Sequence, residues 1–375
     1  MNNLNINEKV DFKNLINIKT MTVLLMIVIS VIIIIAVPKD INTKISYEEL
    51  TGFYFDTYIS VKLYYNDKDS YNKIIKDANQ TDKEYFTEKL NDINKMCANY
   101  HNLWDKNNPE SDIYKINTLR NTAVDEETYK IIEKSVEYSS LTKGAFDITL
   151  GTVTTGFNAS EKKIYNEEKI SGLLDDISYK SIKLYTFSES GKTTYYVELL
   201  SEETLIDLGS IAKGYIADEI SSYLKASGIN NALISLGGNI IAAGSKSQNV
   251  PYIIGVQKPF DPAGSNIATL KINDYSVVTS GIYERYFEAD GKLLHHIFSP
   301  KTGMPVENNL YSVTVIGKDS DMCDMLSTAL FVMGISDGIK LINSLEDYHC
   351  IYIDNEFKYT YSNELELENG VFSIK

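Results

Sequence analysis

The sequence predicts an α+β fold built on a largely antiparallel sheet with packed helices. Strand-like and helix-like segments are mixed without the strict alternation of a doubly wound fold. Several strand pairs are joined by tight-turn signals of the kind that close hairpins. No internal repeat, low-complexity tract or composition break divides the chain after residue 50. At 375 residues, 43% of them hydrophobic, the chain has ample material for a core.

Residues 20–37, "TMTVLLMIVISVIIIIAV", carry no charge and just reach the length of a membrane span. Lys9, Lys13 and Lys19 precede the run, a bias that places residues 1–19 as a cytoplasmic tail and the bulk of the chain outside the membrane. No A-x-A cleavage site is present and Pro38 follows directly, so an uncleaved anchor is expected in preference to a signal peptide. Residues 38–50 read as a polar linker, and the globular domain spans 51–375.

Within "FYFDTYISVKLYY" (53–65), Ile59, Val61, Leu63 and Tyr65 alternate with Ser60, Lys62 and Tyr64, the period of a half-buried strand. Residues 81–104 form a helix: Thr81 and Glu84 are spaced as a capping box, and Phe86, Leu90, Ile93 and Tyr100 recur at helical spacing. A second helix fits 125–142, with Asp125 as cap and Gly144 beyond its end. Strands fit 193–199, 231–236, 252–257, 311–316 and 349–353, and helices fit 210–227, 320–333 and 335–345. Asp290–Gly291 in "EADGKLL" is a type I′ hairpin signal, and Asp354–Asn355 stands in a similar place.

The formal net charge is −15, so no basic footprint for nucleic acid is present. An anionic small molecule would need a local cation or a metal to offset that field. Cys97, Cys323 and Cys350 are scattered and odd in number, which fits neither a disulfide framework nor a metal cluster and makes them free, mostly buried thiols.

One stretch goes against ordinary helix design. "LIDLGSIAKGYIADEI" (205–220) runs from a strand through a turn at Gly209–Ser210 into a helix. Lys213 lies in the first turn, where the helix dipole disfavours a cation. Gly214 follows, at a position where glycine costs roughly 1 kcal/mol relative to alanine. An anion held by the free N–H groups of the helix start accounts for both, with the bare backbone allowing close approach; tight helix–strand packing is the other reading of Gly214.

Other motifs are weaker. "SESGKTTYY" (188–196) holds Gly-Lys-Thr, but a phosphate loop needs Gly five residues before Gly191, and Thr186 stands there. "LGGN" (236–239) lacks the dinucleotide fingerprint and reads as a turn. Asp324 and Thr328 are four apart on a predicted helix and share a face. A carboxylate and a hydroxyl so placed suit Mg²⁺, while a solvated Asp beside a core Thr satisfies the spacing equally. His295 and His296 point to opposite faces of a strand, so at most one faces any given site.

Taken together, "GAFDITLGTV" (144–153), "IDLGSIAKGYIAD" (206–218), "LISLGGNI" (233–240), "VVTSGIYERYFEADGKLLHHIFSPKTGMPV" (277–306) and "YSVTVIGKDSDMCDMLSTALFVMG" (311–334) resemble the FAD:protein FMN transferase, or ApbE, family in order and spacing. The resemblance implies a T-fold and a Mg²⁺-dependent enzyme. Such an enzyme moves the FMN part of FAD onto a Thr or Ser of a partner flavoprotein and releases AMP. It places the metal at Ser210, through its carbonyl, with Asp324 and Thr328. Flavin-nucleotide contacts fall on Phe55–Thr57, Trp104–Asp105, Ala145, Phe146 and Asp147, Lys213 and the region of Phe298. The functional histidine falls on His296. The chain departs from the family at Ser299, where Asp is usual, and at "FDT" (55–57), where the family has an "MGT"-like segment. The acceptor is expected to be extracytoplasmic, and the membrane is met through the N-terminal helix. A Mg²⁺-dependent FAD pyrophosphatase and a non-catalytic FAD carrier are the rival readings.

Overall fold

The computed structural model describes residues 46–65, 81–246 and 250–375. The expected tail, the 20–37 anchor and residues 38–45 of the expected linker lie outside them. In chain order the strands are β1 (Ser46–Tyr54), β2 (Thr57–Tyr65), β3 (Asn121–Val124), β4 (Ile182–Glu189), β5 (Lys192–Leu199), β6 (Ala232–Leu236), β7 (Asn239–Ala243), β8 (Tyr252–Gln257) and β9 (Asn266–Ile272). They continue with β10 (Tyr275–Gly281), β11 (Tyr286–Ala289), β12 (Lys292–His295), β13 (Leu310–Gly317), β14 (His349–Asp354), β15 (Tyr359–Tyr361), β16 (Leu365–Glu368) and β17 (Val371–Ile374). The helices are α1 (Asp82–Trp104), α2 (Asp112–Leu119), α3 (Glu126–Leu141), α4 (Gly151–Thr154), α5 (Glu167–Leu173), α6 (Ala212–Ala226) and α7 (Ser320–Ile342).

The main sheet has the order β1-β2-β6-β7-β10-β13-β14-β15, and every pairing in it is antiparallel. Its central strands are buried on both faces. Ile234, Val278, Val313, Val315 and Tyr352 face the helices α1, α6 and α7. Their neighbours Leu233, Val277, Ile316, Ile351 and Ile353 pack on a second sheet, β16-β17-β9-β8. Burial on both sides is why segments such as "ALISL" and "HCIYID" read as near-continuous apolar runs rather than clean alternation.

Local chemistry sets the helix ends. Thr81 and Glu84 form the reciprocal capping box at α1. Asp125 Oδ1 accepts from Glu127 N–H at α3, and Gly144 follows at φ +78°. Helix α7 leaves helical geometry at Gly334 (φ +74°, ψ 177°), so the expected helices 320–333 and 335–345 meet end to end there. Among the described residues α7 is the one helix long and apolar enough to cross a membrane, yet much of it is core: Cys323, Met325, Leu326, Ala329, Leu330 and Phe331 are fully buried. All three cysteines are free and buried, as expected.

Three expectations change. Residues 46–50, expected in the linker, are paired in β1. The single strand expected over 53–65 is half of a hairpin, because Phe55 and Asp56 take left-handed conformations (φ +54° and +57°) and reverse the chain. That is a type I′ turn made without glycine. The 352–359 hairpin exists, but its connection runs from Asn355 to Lys358, with Asp354 Oδ1 accepting from the Glu356 and Lys358 amides. By contrast Asp290–Gly291 and Gly237–Gly238 are two-residue turns with positive φ throughout, joining β11 to β12 and β6 to β7.

Candidate active site

Helices α6 and α7 lie on the same face of the main sheet and meet at their first turns. α6 begins at Ala212 with no side-chain cap of its own. The N–H of Gly214, in its third position, donates instead to Asp324 Oδ2 of α7 at 3.0 Å. An added Cβ at Gly214 would lie 2.6 Å from Asp321 Cα and 2.7 Å from the Ser320 carbonyl carbon. The glycine therefore permits close packing, though against a helix rather than a strand, and its N–H is committed to the Asp324 carboxylate.

Lys213 Nζ lies 3.6 Å from Asp324 Oδ2 and donates to the Gly209 carbonyl at 3.0 Å. It ties the Gly209–Ser210 turn to α7. The turn itself is shaped by Asp207, whose Oδ1 accepts from Gly209 N–H at 2.8 Å while Oδ2 pairs with Lys106 at 2.5 Å. Burial works against ionisation of Asp207, but Lys106, the Gly209 amide and Arg285 outweigh it and hold the carboxyl below its usual range. One turn along α7 from Asp324, the Thr328 hydroxyl is 3.2 Å from Ser280 Oγ of β10, which is 2.7 Å from Ser327 Oγ.

Asp324 is 4% exposed. A carboxylate so buried needs positive partners, and Lys213 with the α6 amide supplies them. The Gly209 carbonyl, linked to Asp324 through Lys213 Nζ, and the Thr328 hydroxyl one turn along α7 complete a candidate set of oxygen donors. Such a set fits Mg²⁺, which takes hard oxygen ligands and keeps waters for a phosphate-bearing substrate. Among the described residues no three His, Cys, Asp or Glu side chains gather as a closed metal cage. The ammonium beside Asp324 shows independently that positive charge is favoured there.

The two histidines separate as their alternation predicts. His295 is 3% exposed, with Nε2 3.0 Å from the Val306 carbonyl and Nδ1 accepting from Ile297 N–H at 3.2 Å. Both ring nitrogens are engaged, so it is a structural residue held in one neutral tautomer. His296 is half-buried, and its Nδ1 lies 3.3 Å from the Arg285 carbonyl. Donation from Nδ1–H to that carbonyl leaves Nε2 with a free lone pair. Burial, and then the positive charges of Arg285 and Lys213, push its pKa down to about 3. Glu284 reaches solvent but is hemmed in by protein. Desolvation pushes its carboxyl upward, aided by Asp324 and opposed by Lys213 and Arg285.

The structure thus joins Lys213, Asp324 and the Gly209 carbonyl beside Ser210, with Thr328 one turn along α7 and His296 within the field of Lys213. Among the other expected flavin contacts, Trp104, Phe146, Asp147 and Phe298 are buried. Trp104 is a core residue whose Nε1 donates to Thr128 Oγ1 at 3.0 Å. Phe146 and Phe298 are 1% and 2% exposed and pack in the core. Asp147 is also buried: Oδ1 accepts from the Thr149 amide and hydroxyl, and Oδ2 accepts from Tyr179 N–H, so the carboxylate braces a turn. Ala145 is half-buried beside it. Asp105 caps α1 and accepts from Asn107 N–H. Phe55 is half-buried, its N–H donating to His101 Nδ1 at 3.4 Å. Ser299, where a family Asp is usual, accepts from Lys301 N–H at 3.3 Å and so shapes the 299–304 turn. Sequence reasoning missed Lys106, Asp207, Ser280, Glu284 and Arg285. Asp207 sits inside "LIDLGS" beside the two anomalies, and Ser280, Glu284 and Arg285 all fall in "TSGIYERYF", which held a signal that spacing alone did not rank.

An antiparallel sheet with two helix starts meeting around a carboxylate, hydroxyls and an ammonium defines an α+β protein with a candidate polar site at that junction. Residues 55–352 match the model of the ApbE family. The chain belongs to that family. It is 34% identical over 261 residues to the FAD:protein FMN transferase of Klebsiella pneumoniae, covering 69% of this chain and 79% of that one. It is 31% identical over 244 residues to the Vibrio cholerae protein of the same name, covering 63% and 70%. The crystal structure of the ApbE protein from Thermotoga maritima superposes with a TM-score of 0.68 at 30% identity, covering 85% of this chain and 97% of that one.

Proposed function

We propose that this protein is a Mg²⁺-dependent FAD:protein FMN transferase, anchored in the membrane by residues 20–37 with its catalytic domain outside the cytoplasm. The reaction moves FMN from FAD to a Thr or Ser hydroxyl of an extracytoplasmic flavoprotein and releases AMP. The observation that carries this reading is the joint placement of Asp324, Thr328, Lys213 and the Gly209–Ser210 turn where α6 and α7 meet. A protein that only stored FAD would need no such set.

Asp324, Thr328 and the Ser210 carbonyl would hold the metal. When bound, Mg²⁺ neutralises charge that builds on the pyrophosphate as its P–O–P linkage breaks. Lys213 holds the phosphates, with the dipole of α6 aiding it. The acceptor oxygen bonds to the FMN-side phosphorus, the bond from that phosphorus to the bridging oxygen breaks, and AMP departs with the bridging oxygen. Nε2 of His296 takes the hydroxyl proton. The imidazole is a weak base because it is desolvated and faces the positive charges of Arg285 and Lys213. A pyrophosphate seated between those cations offsets their charge and raises its basicity, so the base strengthens when substrate is present.

The reading is tested by mixing the protein with FAD, Mg²⁺ and a candidate extracytoplasmic flavoprotein, then following flavin fluorescence on the denatured acceptor together with nucleotide products. Covalent flavin with equimolar AMP supports transfer. Free FMN with AMP and a bare acceptor would make the protein a pyrophosphatase, and unchanged FAD would make it a carrier.

A further inference from the structure

The first turns of α6 and α7 exchange caps, and we infer that Asp218 is a positioning residue for the metal-binding carboxylate Asp324. The inference rests on the metal assignment proposed above. Neither helix caps itself: Ile211 at the start of α6 has no side-chain acceptor, and Asp319 at the start of α7 makes no side-chain cap bond. Each is capped by the other. Asp324 of α7 accepts from the Gly214 amide of α6. Asp218 of α6, one turn further on, accepts from the first two amides of α7, Oδ1 from Ser320 N–H at 3.0 Å and Oδ2 from Asp321 N–H at 2.8 Å.

An N-terminal amide left unpaired inside a protein is costly, so both carboxylates are fixed by obligations to the opposite helix. The two caps are linked mechanically. Asp218 pins the start of α7 three to four residues before Asp324. That fixes how far along α6 the Asp324 carboxylate sits, and so its position relative to Lys213 and the Gly209–Ser210 turn. The pin is itself braced. Ser320 Oγ donates to Asn239 Oδ1 at 2.6 Å, and the buried Asp321 carboxylate pairs with Lys134 and accepts from Tyr138 Oη at 3.1 Å. Asp319 is held by Tyr348 Oη at 2.7 Å. Both Asp218 oxygens are taken up by the α7 amides, so its effect runs through Asp324.

The test is Mn²⁺ binding, followed by the loss of the free-ion electron paramagnetic resonance signal, to the full-length protein and its Asp218→Ala, Asp218→Asn and Asp324→Ala variants. Circular dichroism reports folding, and amide hydrogen exchange is read at Ser320 and Asp321. Residues that orient a metal ligand typically cost 10–100-fold in affinity when removed, and Asp218→Ala should fall in that range with faster exchange at both amides. Asp218→Asn keeps one acceptor and should lose less. A folded Asp218→Ala with wild-type Mn²⁺ affinity overturns the inference. Should the alanine variant not fold, wild-type affinity in Asp218→Asn overturns it equally. Asp324→Ala separates the two ideas. Loss of binding there with none in the Asp218 variants defeats the positioning role alone, whereas wild-type binding in Asp324→Ala defeats the metal assignment and the positioning role with it.

Discussion

Replacing Gly214 by alanine sets two effects of opposite sign against each other. By helix propensity alone alanine should stabilise α6 by roughly 1 kcal/mol. The structure predicts the reverse. The new methyl would sit 2.6 Å from Asp321 Cα and 2.7 Å from the Ser320 carbonyl carbon, with the Ser320 oxygen nearer still. Comfortable carbon–carbon separation is about 3.5–4.0 Å, so the two helices must part by about 1 Å. The obstructing atoms are backbone, which cannot rotate away, so the cost belongs near the top of the usual overpacking range of about 1–3 kcal/mol. Against the propensity gain, the net loss is about 2 kcal/mol, a fall in melting temperature of several degrees. Activity should suffer more. The Gly214 amide is 3.0 Å from Asp324 Oδ2, and moving it by about 1 Å ends that hydrogen bond. A displacement of that size at a reacting centre costs about 10²-fold. Thermal unfolding and single-turnover flavin transfer read the two effects separately. A variant as stable as the wild type, or one that transfers FMN at the wild-type rate, refutes the reasoning.

The two histidines should part company on mutation. His295→Ala removes a buried ring with both nitrogens engaged, and should cost about 1–3 kcal/mol of stability; His296→Ala should leave melting nearly unchanged while slowing transfer by about 10²–10⁴-fold. In the free protein, proton NMR should find the His296 ring neutral well below pH 5, with its pKa rising when FAD is added, because the pyrophosphate offsets Arg285 and Lys213. The stability sign follows: between an unfolded value near 6.5 and the folded value of about 3, the unfolded chain takes up a proton that the folded one refuses. Stability therefore falls as pH drops through that window, and His296→Gln should soften the fall. Deleting residues 1–40 should give a soluble protein with wild-type transfer activity, since β1 starts at Ser46; aggregation of the truncated chain would place residues 20–37 within the domain.

Much of the fold was legible because its signals are local. Asp290–Gly291 marks its hairpin by residue type, Thr81 and Glu84 mark the start of α1, and Gly334 marks the break in α7. The β1–β2 turn was not legible, since Phe55 and Asp56 adopt left-handed conformations that such residues rarely take and that no glycine announces. The site divides in the same way. Lys213 and Gly214 stood out because they go against helix rules, and Asp324 with Thr328 because they share a helix face. The partners that complete the site, such as Ser280 on β10 and Lys106 beyond α1, come from elements far apart in sequence and obey no period. Trp104, Phe146 and Phe298 flank site segments in the chain, but their apolar rings follow the ordinary preference for the core.

The account turns on Asp324 as the anchor of a metal-dependent transfer. Single-turnover flavin transfer to an acceptor flavoprotein, by wild type and Asp324→Ala, with Mg²⁺ and again with Mg²⁺ chelated, tests it most directly. The prediction is covalent flavin and equimolar AMP from the wild type with Mg²⁺ alone, and neither product from Asp324→Ala under either condition although its circular dichroism is unchanged. Transfer by Asp324→Ala at the wild-type rate, or undiminished wild-type transfer without Mg²⁺, would contradict it.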